Sequence, residues 1–351
     1  MSKRIMIMAG GTGGHIFPAL AVAKQLSQEG WNIFWLGTHN GLESKIIPAN
    51  QITIDWLPVT GMRGKNWFAK IKAFYNLISA CFHAVKILKK RQPHVVLGMG
   101  GFVSAPGGLM AKMLKIPLVI HEQNRVPGTA NRLLAKIANR VLEAFPNSFE
   151  KNIKAEYTGN PLREEFLNLN EQKKNNTFNL SKKILIVGGS QGAQILNQIV
   201  PKAVAQFTNI MVQHQTGSVM LEEVTNHYQS LAVDAKVNDF IDNIADAYQW
   251  ADIVICRAGA MTISELSAMG KPAILIPLPN AIDDHQTLNA RYLSEAGAAV
   301  LLPQKQLTVE SLVKTITHAI NNLDAMATAS KQCARLDATI VVANCCKNEA
   351  N

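Results

Sequence analysis

Twice along the chain a short apolar run ends in a dense glycine turn and gives way to a helix-length segment: IMIMAGGTGGH over residues 5–15 and ILIVGGSQGAQ over residues 184–194. Each run opens a series of the same kind. NIFWLG, HVVLGMG and PLVIHEQN follow the first, and IVICRAG and PAILIPLP follow the second. Apolar strands separated by helix-length segments specify parallel sheets covered on both faces. The expectation is an α/β chain of two Rossmann-like parallel-sheet domains. At 351 residues it also exceeds the roughly 250–300 at which a single core stops growing. Between the series lies NLNEQKKNNTFNLSKK, polar and without apolar period, read as a loop at the head of the second domain. The boundary is placed near Asn160. In open sheets of this kind ligands bind beyond the carboxyl ends of the strands. Two domains facing each other would therefore put a cleft between their glycine turns.

Several classes are disfavoured. The five cysteines, Cys81, Cys256, Cys333, Cys345 and Cys346, form no metal-binding spacing and read as thiols of a reducing cytosol. The apolar run after Lys3 and Arg4 is too short for a signal peptide, and the uncharged stretch 95–111 is too rich in glycine for a membrane span. Charge is unevenly divided. Residues 1–160 carry 20 Lys and Arg against 7 Asp and Glu, whereas residues 161–351 carry 15 against 18. A first half at +13 and a second at −3 point to an anionic partner for the first. Without nucleic-acid motifs, a phospholipid surface is the preferred one.

The first turn fails both common phosphate patterns. A dinucleotide fingerprint counted from Gly11 requires glycine where Ile16 stands, and a P-loop requires Lys after the glycines, where His15 stands. The positive end of a helix dipole disfavours an imidazolium at this position. A neutral ring there can take a proton from a hydroxyl, so His15 reads as a general base, with a helix-capping or merely satisfied histidine as the alternative. In the second domain, CRAGAMTISELSAMG places small residues and then a helix N-terminus after a strand, an arrangement suited to a diphosphate. Glu265, one turn in, either accepts from a ribose diol or stabilises the helix dipole. His121, Glu122 and Asn124 of HEQN contact a ligand or cap a helix. Gln286, in IDDHQTLNA, reads sugar hydroxyls or is simply loop polarity. No D-x-D pair is present to hold a divalent ion, and Asp283–Asp284 reads as a solvated pair.

Taken together, GGTGGHIFPALAVA, GMGGFVSAPGG, HEQN, GNPLR, GGSQGA, CRAGAMTISE and HQTLNA resemble, in order and spacing, the bacterial cell-wall glycosyltransferases that transfer N-acetylglucosamine from its UDP derivative to undecaprenyl-diphospho-muramoyl pentapeptide. The resemblance covers almost the whole chain. It implies a GT-B architecture with an acceptor- and membrane-facing domain at 1–160, a UDP-sugar-binding domain at 161–334, and a last helix, 335–351, crossing back to the first domain. It implies His15 as base of an inverting transfer, with Thr12, Gly13 and Gly14 near the donor diphosphate or the acceptor. Asn124 and Gln286 would touch the transferred sugar, Arg163 and Ser190 the phosphate side of the nucleotide, and the backbone of Ile244 the uracil. Ala260, Met261, Thr262, Ile263, Ser264 and Glu265 would form the diphosphate and ribose site. The implied partners are UDP-N-acetylglucosamine, a polyprenyl-diphosphate-linked muramoyl pentapeptide and an anionic membrane surface, with no nucleic acid, no metal and no cofactor. The implied location is the cytoplasmic face of the bacterial inner membrane, as a peripheral protein.

Membrane docking is expected to involve NWFAKIKAFYNLISACFHAVKILKKRQ. At helical spacing Trp67, Ile71, Phe74, Ile78, Cys81, Val85 and Leu88 form one stripe. Phe68, Tyr75 and Phe82 form a second beside it, interleaved with Lys72 and Lys86, and Lys65, Lys70, Lys89, Lys90 and Arg91 lie toward the ends. This apolar arc is wider than the ~100° a core-facing helix needs, so one edge should be exposed. Two other readings stay open. An epimerase, or a transferase to a soluble acceptor, would share the second-domain site without needing a basic apolar face. A non-catalytic nucleotide-binding protein at the membrane would keep Glu265 and dispense with His15.

Overall fold

The computed structural model describes residues 2–58, 67–168, 181–189, 193–279 and 281–351, without the side chains of 67–75, 168 and 282. Ser190, the expected phosphate-side residue, Lys65, and the side chains of Phe68 and Tyr75 therefore lie outside the described residues.

The chain forms two compact units, one of residues 1–163 with 335–351, the other of 164–334. The first unit runs β1 (Arg4–Met8), α1 (Gly13–Gln28), β2 (Asn32–Gly37), α2 (Glu43–Ala49), β3 (Thr53–Trp56), α3 (Trp67–Arg91), β4 (Val95–Gly98), α4 (Ser104–Met113), β5 (Leu118–Glu122), α5 (Thr129–Leu134), β6 (Arg140–Glu143) and β7 (Ala155–Tyr157). Its seven strands pair in parallel in the order β3-β2-β1-β4-β5-β6-β7. Strand periodicity explains the two cores. Ile5 and Ile7 of β1 enter one cluster with Ile16, Val22 and Leu26 of α1, while Met6 and Met8 enter another with Ala84 and Leu88 of α3 and Met110 of α4. Leu162, beyond the boundary read near Asn160, is buried in this unit, and Arg163 lies over the Phe17 ring at 5.1 Å.

The second unit runs α6 (Glu164–Asn168), β8 (Lys182–Val187), α7 (Gln194–Val204), β9 (Ile210–Gln215), α8 (Leu221–Ser230), β10 (Ala235–Asn238), α9 (Ile244–Trp250), β11 (Ile253–Cys256), α10 (Ala260–Met269), β12 (Ala273–Leu275), α11 (His285–Glu295), β13 (Ala299–Leu301), α12 (Val309–Asn321) and α13 (Leu323–Gln332). Six parallel strands pair as β10-β9-β8-β11-β12-β13. The last helix, α14 (Ala338–Glu349), returns to the first unit, where Val342, Ala343, Cys345 and Cys346 complete the core beneath α1.

In each sheet the strand order reverses beside the opening strand, between β1 and β4 and between β8 and β11. The loops after those strands diverge to opposite faces and leave a crevice at the carboxyl edge, where parallel α/β sheets bind ligands. The turn at 9–14 and the turn at 99–103 flank the first such point, and the residues 257–259 before α10 adjoin the second.

Helix α3 answers which edge of the broad apolar arc is exposed. Among its described side chains Ala80, Ala84 and Leu88 are buried, whereas Ile78 and Phe82 stand 41% and 66% exposed. Ile78, of the first stripe, and Phe82, of the second, thus both lie on the outer edge, which periodicity alone left open. Two alanines allow α3 to seat closely against α4, and that rotates the larger residues outward.

Candidate active site

In the first unit the two glycine turns pack on each other. Gly100 and Gly101 have φ of +96° and +81°. A side chain at Gly101 would collide with the carbonyl of Gly10, and a Cβ on Gly100 would stand 2.8 Å from Cε1 of His15. Only glycine combines this conformation with this approach. The first turn is also braced from behind. The Trp35 indole donates to the Ala9 carbonyl at 2.9 Å. The wholly buried Glu43 carboxylate accepts from the amides of Gly11 and Thr38, each at 2.9 Å, and from the Thr38 hydroxyl at 2.7 Å. Three donors satisfy this charge, which would otherwise be costly to bury.

The turn delivers Thr12 as the N-cap of α1 in extended conformation, with no side-chain capping bond. Gly13, Gly14 and His15 form the first turn, and the His15 amide donates to the Thr12 carbonyl at 3.1 Å. A Cβ on Gly13 would lie 2.8 Å from the Phe17 ring, the ring that also supports Arg163. His15 Nδ1 lies 2.7 Å from Gln123 Oε1. Arg163 is thereby placed beside the same helix start as His15.

HEQN divides by strand alternation. His121 and Gln123 share one side and are buried. Glu122 points the other way and accepts from the Asn124 amide (2.9 Å) and side chain (3.2 Å), the Gly128 amide (3.0 Å) and Asn131 Nδ2 (2.9 Å). Glu122 is therefore the organiser of the 124–131 loop, and Asn124 is held on it.

In the second unit α10 begins at Ala260 behind Gly259, which is extended at φ −65°, ψ 146° and supplies no side-chain cap, so the first amides remain for an anion. The six candidates on this helix divide by face. Ala260, Ile263 and Glu265 are buried, while Met261, Thr262 and Ser264 are half-buried. Ile263, fully buried, can offer only its backbone. The Ser264 hydroxyl donates to the Ala260 carbonyl at 3.1 Å. Burial, and then the charge of Glu265, pushes the Cys256 thiol up to about 12, which keeps it protonated and unreactive.

Two side chains brace the rim of this site. Arg257 Nη1 donates to the carbonyls of Ile276 (3.1 Å) and Pro277 (3.2 Å). Gln286 Oε1 accepts from the Leu278 amide at 2.9 Å, which commits the oxygen inward and leaves the amide nitrogen to donate. Asp283 and Asp284 are exposed and both left-handed, with φ of 54° and 51°. Ile244 is the first residue of α9 and is preceded by Asn243, whose side chain accepts from the Asp246 amide. A groove over β9 and β10, lined by Gln213, Lys236, Asn238, Phe240 and Trp250, flanks Ile244 and contains none of the other candidates.

Sequence reasoning named the histidine but missed Glu43 and Gln123. The alternation of HEQN on a strand was the available signal for Gln123. Nothing local marks Glu43, whose partners Gly11 and Thr38 are brought to it by the pairing of β1 with β2.

Comparisons with known proteins show the family and the fold. Residues 5–143 match the glycosyltransferase family 28 N-terminal domain, and residues 183–341 match its C-terminal domain. A UDP-N-acetylglucosamine–N-acetylmuramyl-(pentapeptide) pyrophosphoryl-undecaprenol N-acetylglucosamine transferase of Methylococcus capsulatus is 53% identical, the match covering 100% of this chain and 99% of the relative. One of the same description from Tolumonas auensis is 48% identical over 99% of each. The crystal structure of Acinetobacter baumannii MurG superposes with a TM-score of 0.84 at 37% identity, covering 99% of both chains. A UDP-N-acetylglucosamine 2-epimerase, at 14% identity and a TM-score of 0.64, shares the fold alone. Two parallel-sheet units with these matches constitute the GT-B class, and the chain belongs to glycosyltransferase family 28, among its N-acetylglucosamine transferases.

Proposed function

We propose that this chain moves N-acetylglucosamine from UDP-N-acetylglucosamine to the muramoyl sugar of undecaprenyl-diphospho-muramoyl pentapeptide with inversion, and that His15 is the general base. The transfer itself follows from family membership and from near-full-length identity to enzymes so described. The assignment of the base is carried by one observation, the hydrogen bond between His15 Nδ1 and Gln123 Oε1 at the apposed glycine turns. His15 would take the proton of the acceptor hydroxyl as its oxygen attacks the anomeric carbon. The bond to the UDP oxygen breaks on the opposite face. The uncapped amides of α10 would stabilise the charge gathering on the diphosphate, a type of assistance worth roughly 3–4 kcal/mol per well-placed donor. Glu265 would accept from the ribose diol, Gln286 Nε2 and Asn124 would hold the transferred sugar, Ile244 would meet the uracil through its backbone, and Arg163 would serve the phosphate side.

The acceptor's polyprenyl chain places it in a bilayer. Among the described residues no helix is long and apolar enough to cross one. The support for peripheral docking is an apolar surface on three adjoining helices: Ile78 and Phe82 on α3, Leu109 and Met113 on α4, and Leu133 on α5, all exposed. Lys86, Lys89, Lys112, Arg132 and Lys136 are exposed on the same helices and their ends. Apolar side chains flanked by lysine and arginine fit the interface of an anionic membrane, here assigned to the cytoplasmic face of the inner membrane.

The test is His15→Ala, assayed with UDP-N-acetylglucosamine and a short-chain lipid acceptor. Turnover should fall about 10²- to 10⁴-fold with UDP affinity retained. A parallel collapse of UDP affinity would assign His15 a structural role instead.

A further inference from the structure

Behind His15 lies a chain of hydrogen bonds that a general base does not by itself require. Gln123 Oε1 faces His15 Nδ1 at 2.7 Å. Gln123 Nε2 lies 3.0 Å from His121 Nδ1 and 3.1 Å from the His121 carbonyl oxygen. His121 Nε2 lies 2.9 Å from the carbonyl oxygen of Gly159, which also accepts from the Thr158 hydroxyl at 3.0 Å. The Asn160 side chain donates to the Gln123 carbonyl at 3.1 Å, so the backbone under the amide is tethered as well. His121 is completely buried, and Gln123 is 1% exposed.

Each bond in this chain has one permitted direction. A carbonyl oxygen only accepts, so Gly159 requires the proton of His121 on Nε2. Burial lowers the His121 pKa to about 4, with the Gly159 carbonyl opposing, so the ring is neutral near pH 7 and its Nδ1 carries a lone pair. Two acceptors, that lone pair and the His121 carbonyl, therefore meet one end of the Gln123 amide. That end must be the NH₂ group, which fixes the flip of the amide by chemistry. Its oxygen then faces His15, and an amide oxygen only accepts. His15 must donate from Nδ1.

We propose that Gln123, oriented by His121 and the Gly159 carbonyl, holds His15 in the Nδ1–H tautomer and so makes Nε2 its proton-accepting atom. The catalytic meaning of this rests on the general-base reading above; the tautomer itself does not. Gln123 and His121 are positioning residues. When Nε2 takes a proton, the imidazolium still donates from Nδ1 to a neutral oxygen. No proton passes further, because an amide has no free site to relay it. The chain orients and does not shuttle.

The experiment is a long-range ¹H–¹⁵N correlation spectrum of the full chain labelled at its nine histidines, with His15 and His121 assigned from the spectra of His15→Asn and His121→Asn. The expected result is opposite tautomers, Nδ1–H at His15 and Nε2–H at His121. Gln123→Met, close in volume and unable to accept from His15, should release the His15 tautomer. It should also lower kcat about 10- to 100-fold, a typical loss for an orienting partner, with UDP affinity unchanged. Gln123→Glu keeps an acceptor toward His15 but loses the donor toward His121. His15 should then keep Nδ1–H while His121 takes a proton on Nδ1. If Gln123→Met fails to fold, the wild-type and Gln123→Glu spectra decide alone. An Nε2–H tautomer at His15, or a His15 signal unmoved by Gln123→Met, would overturn the proposal. Opposite tautomers in an enzyme whose His15→Ala variant keeps full turnover would uphold the positioning and remove the general-base reading.

Discussion

His15 and Gly100 approach so closely that a methyl group on Gly100 would stand 2.8 Å from both Cε1 and Nδ1 of the imidazole. Two turns far apart in sequence thus form one floor, the second setting the position of the ring that the first supplies.

Gly100→Ala should therefore act on catalysis through His15. The new methyl group meets the ring, and the backbone at φ +96° is strained for any side chain. Displacement of the base by a fraction of an ångström is expected to lower kcat roughly 10- to 100-fold with little change in UDP affinity. Steady-state kinetics with the lipid acceptor, alongside UDP titration, measures both. Wild-type turnover would show that the ring has no fixed position to lose.

Glu265→Ala tests the ribose assignment against a helix-dipole role. Only a nucleotide carries a diol, so calorimetry should show UDP binding weakened far more than inorganic diphosphate binding. Equal losses would remove the ribose role from Glu265, which lies beyond the first turn of α10.

Much of this arrangement is legible in the sequence, because strands, glycine turns and helix starts are local. Ile5 and Ile7 alternate with Met6 and Met8, and the structure sends the two pairs to different cores. What stays hidden is whatever a distant segment decides. Glu43 reads as an ordinary helix-start glutamate until β1 and β2 pair and bring Gly11 to its carboxylate. The exposure of Ile78 stays open because a wide apolar arc does not reveal which of its edges meets α4. Ile263 is one of six candidates in an unbroken motif, yet helical geometry turns its side chain into the interior.

Acid should destabilise the second unit through His214. This ring is wholly enclosed, bonded at Nδ1 to the Tyr228 hydroxyl at 2.9 Å, and burial lowers its pKa from 6.5 to about 3. The folded value lies below the unfolded one, so the unfolded chain binds the proton first. Stability is complete above pH 6.5 and falls as pH drops, by about 2 kcal/mol at pH 5 from this group. Denaturant midpoints of wild type and His214→Phe between pH 8 and 5 measure it. The variant, though less stable at pH 8 for loss of the tyrosine bond, should show the shallower decline. Parallel pH slopes would mean that His214 does not titrate with unfolding.

The apolar edge of α3 makes the last prediction. Ile78 and Phe82 lie a helical turn apart and are both exposed, Phe82 the more so, while Lys86 and Lys89 continue along the helix in solvent. Burying such side chains in a bilayer interface gains apolar transfer energy, and each nearby basic residue adds about 1 kcal/mol on an anionic surface. The protein should sediment with vesicles containing anionic lipid and less with neutral ones, and added salt should weaken the binding through screening. Ile78→Ser with Phe82→Ser should reduce binding at every salt concentration with only a small drop in the unfolding midpoint, because the side chains stand 41% and 66% exposed in the folded chain. Lys86→Gln with Lys89→Gln should instead flatten the salt dependence. Binding indifferent to both pairs would place the membrane contact on another surface, and the lipid acceptor would then have to reach His15 by a different face of the first unit.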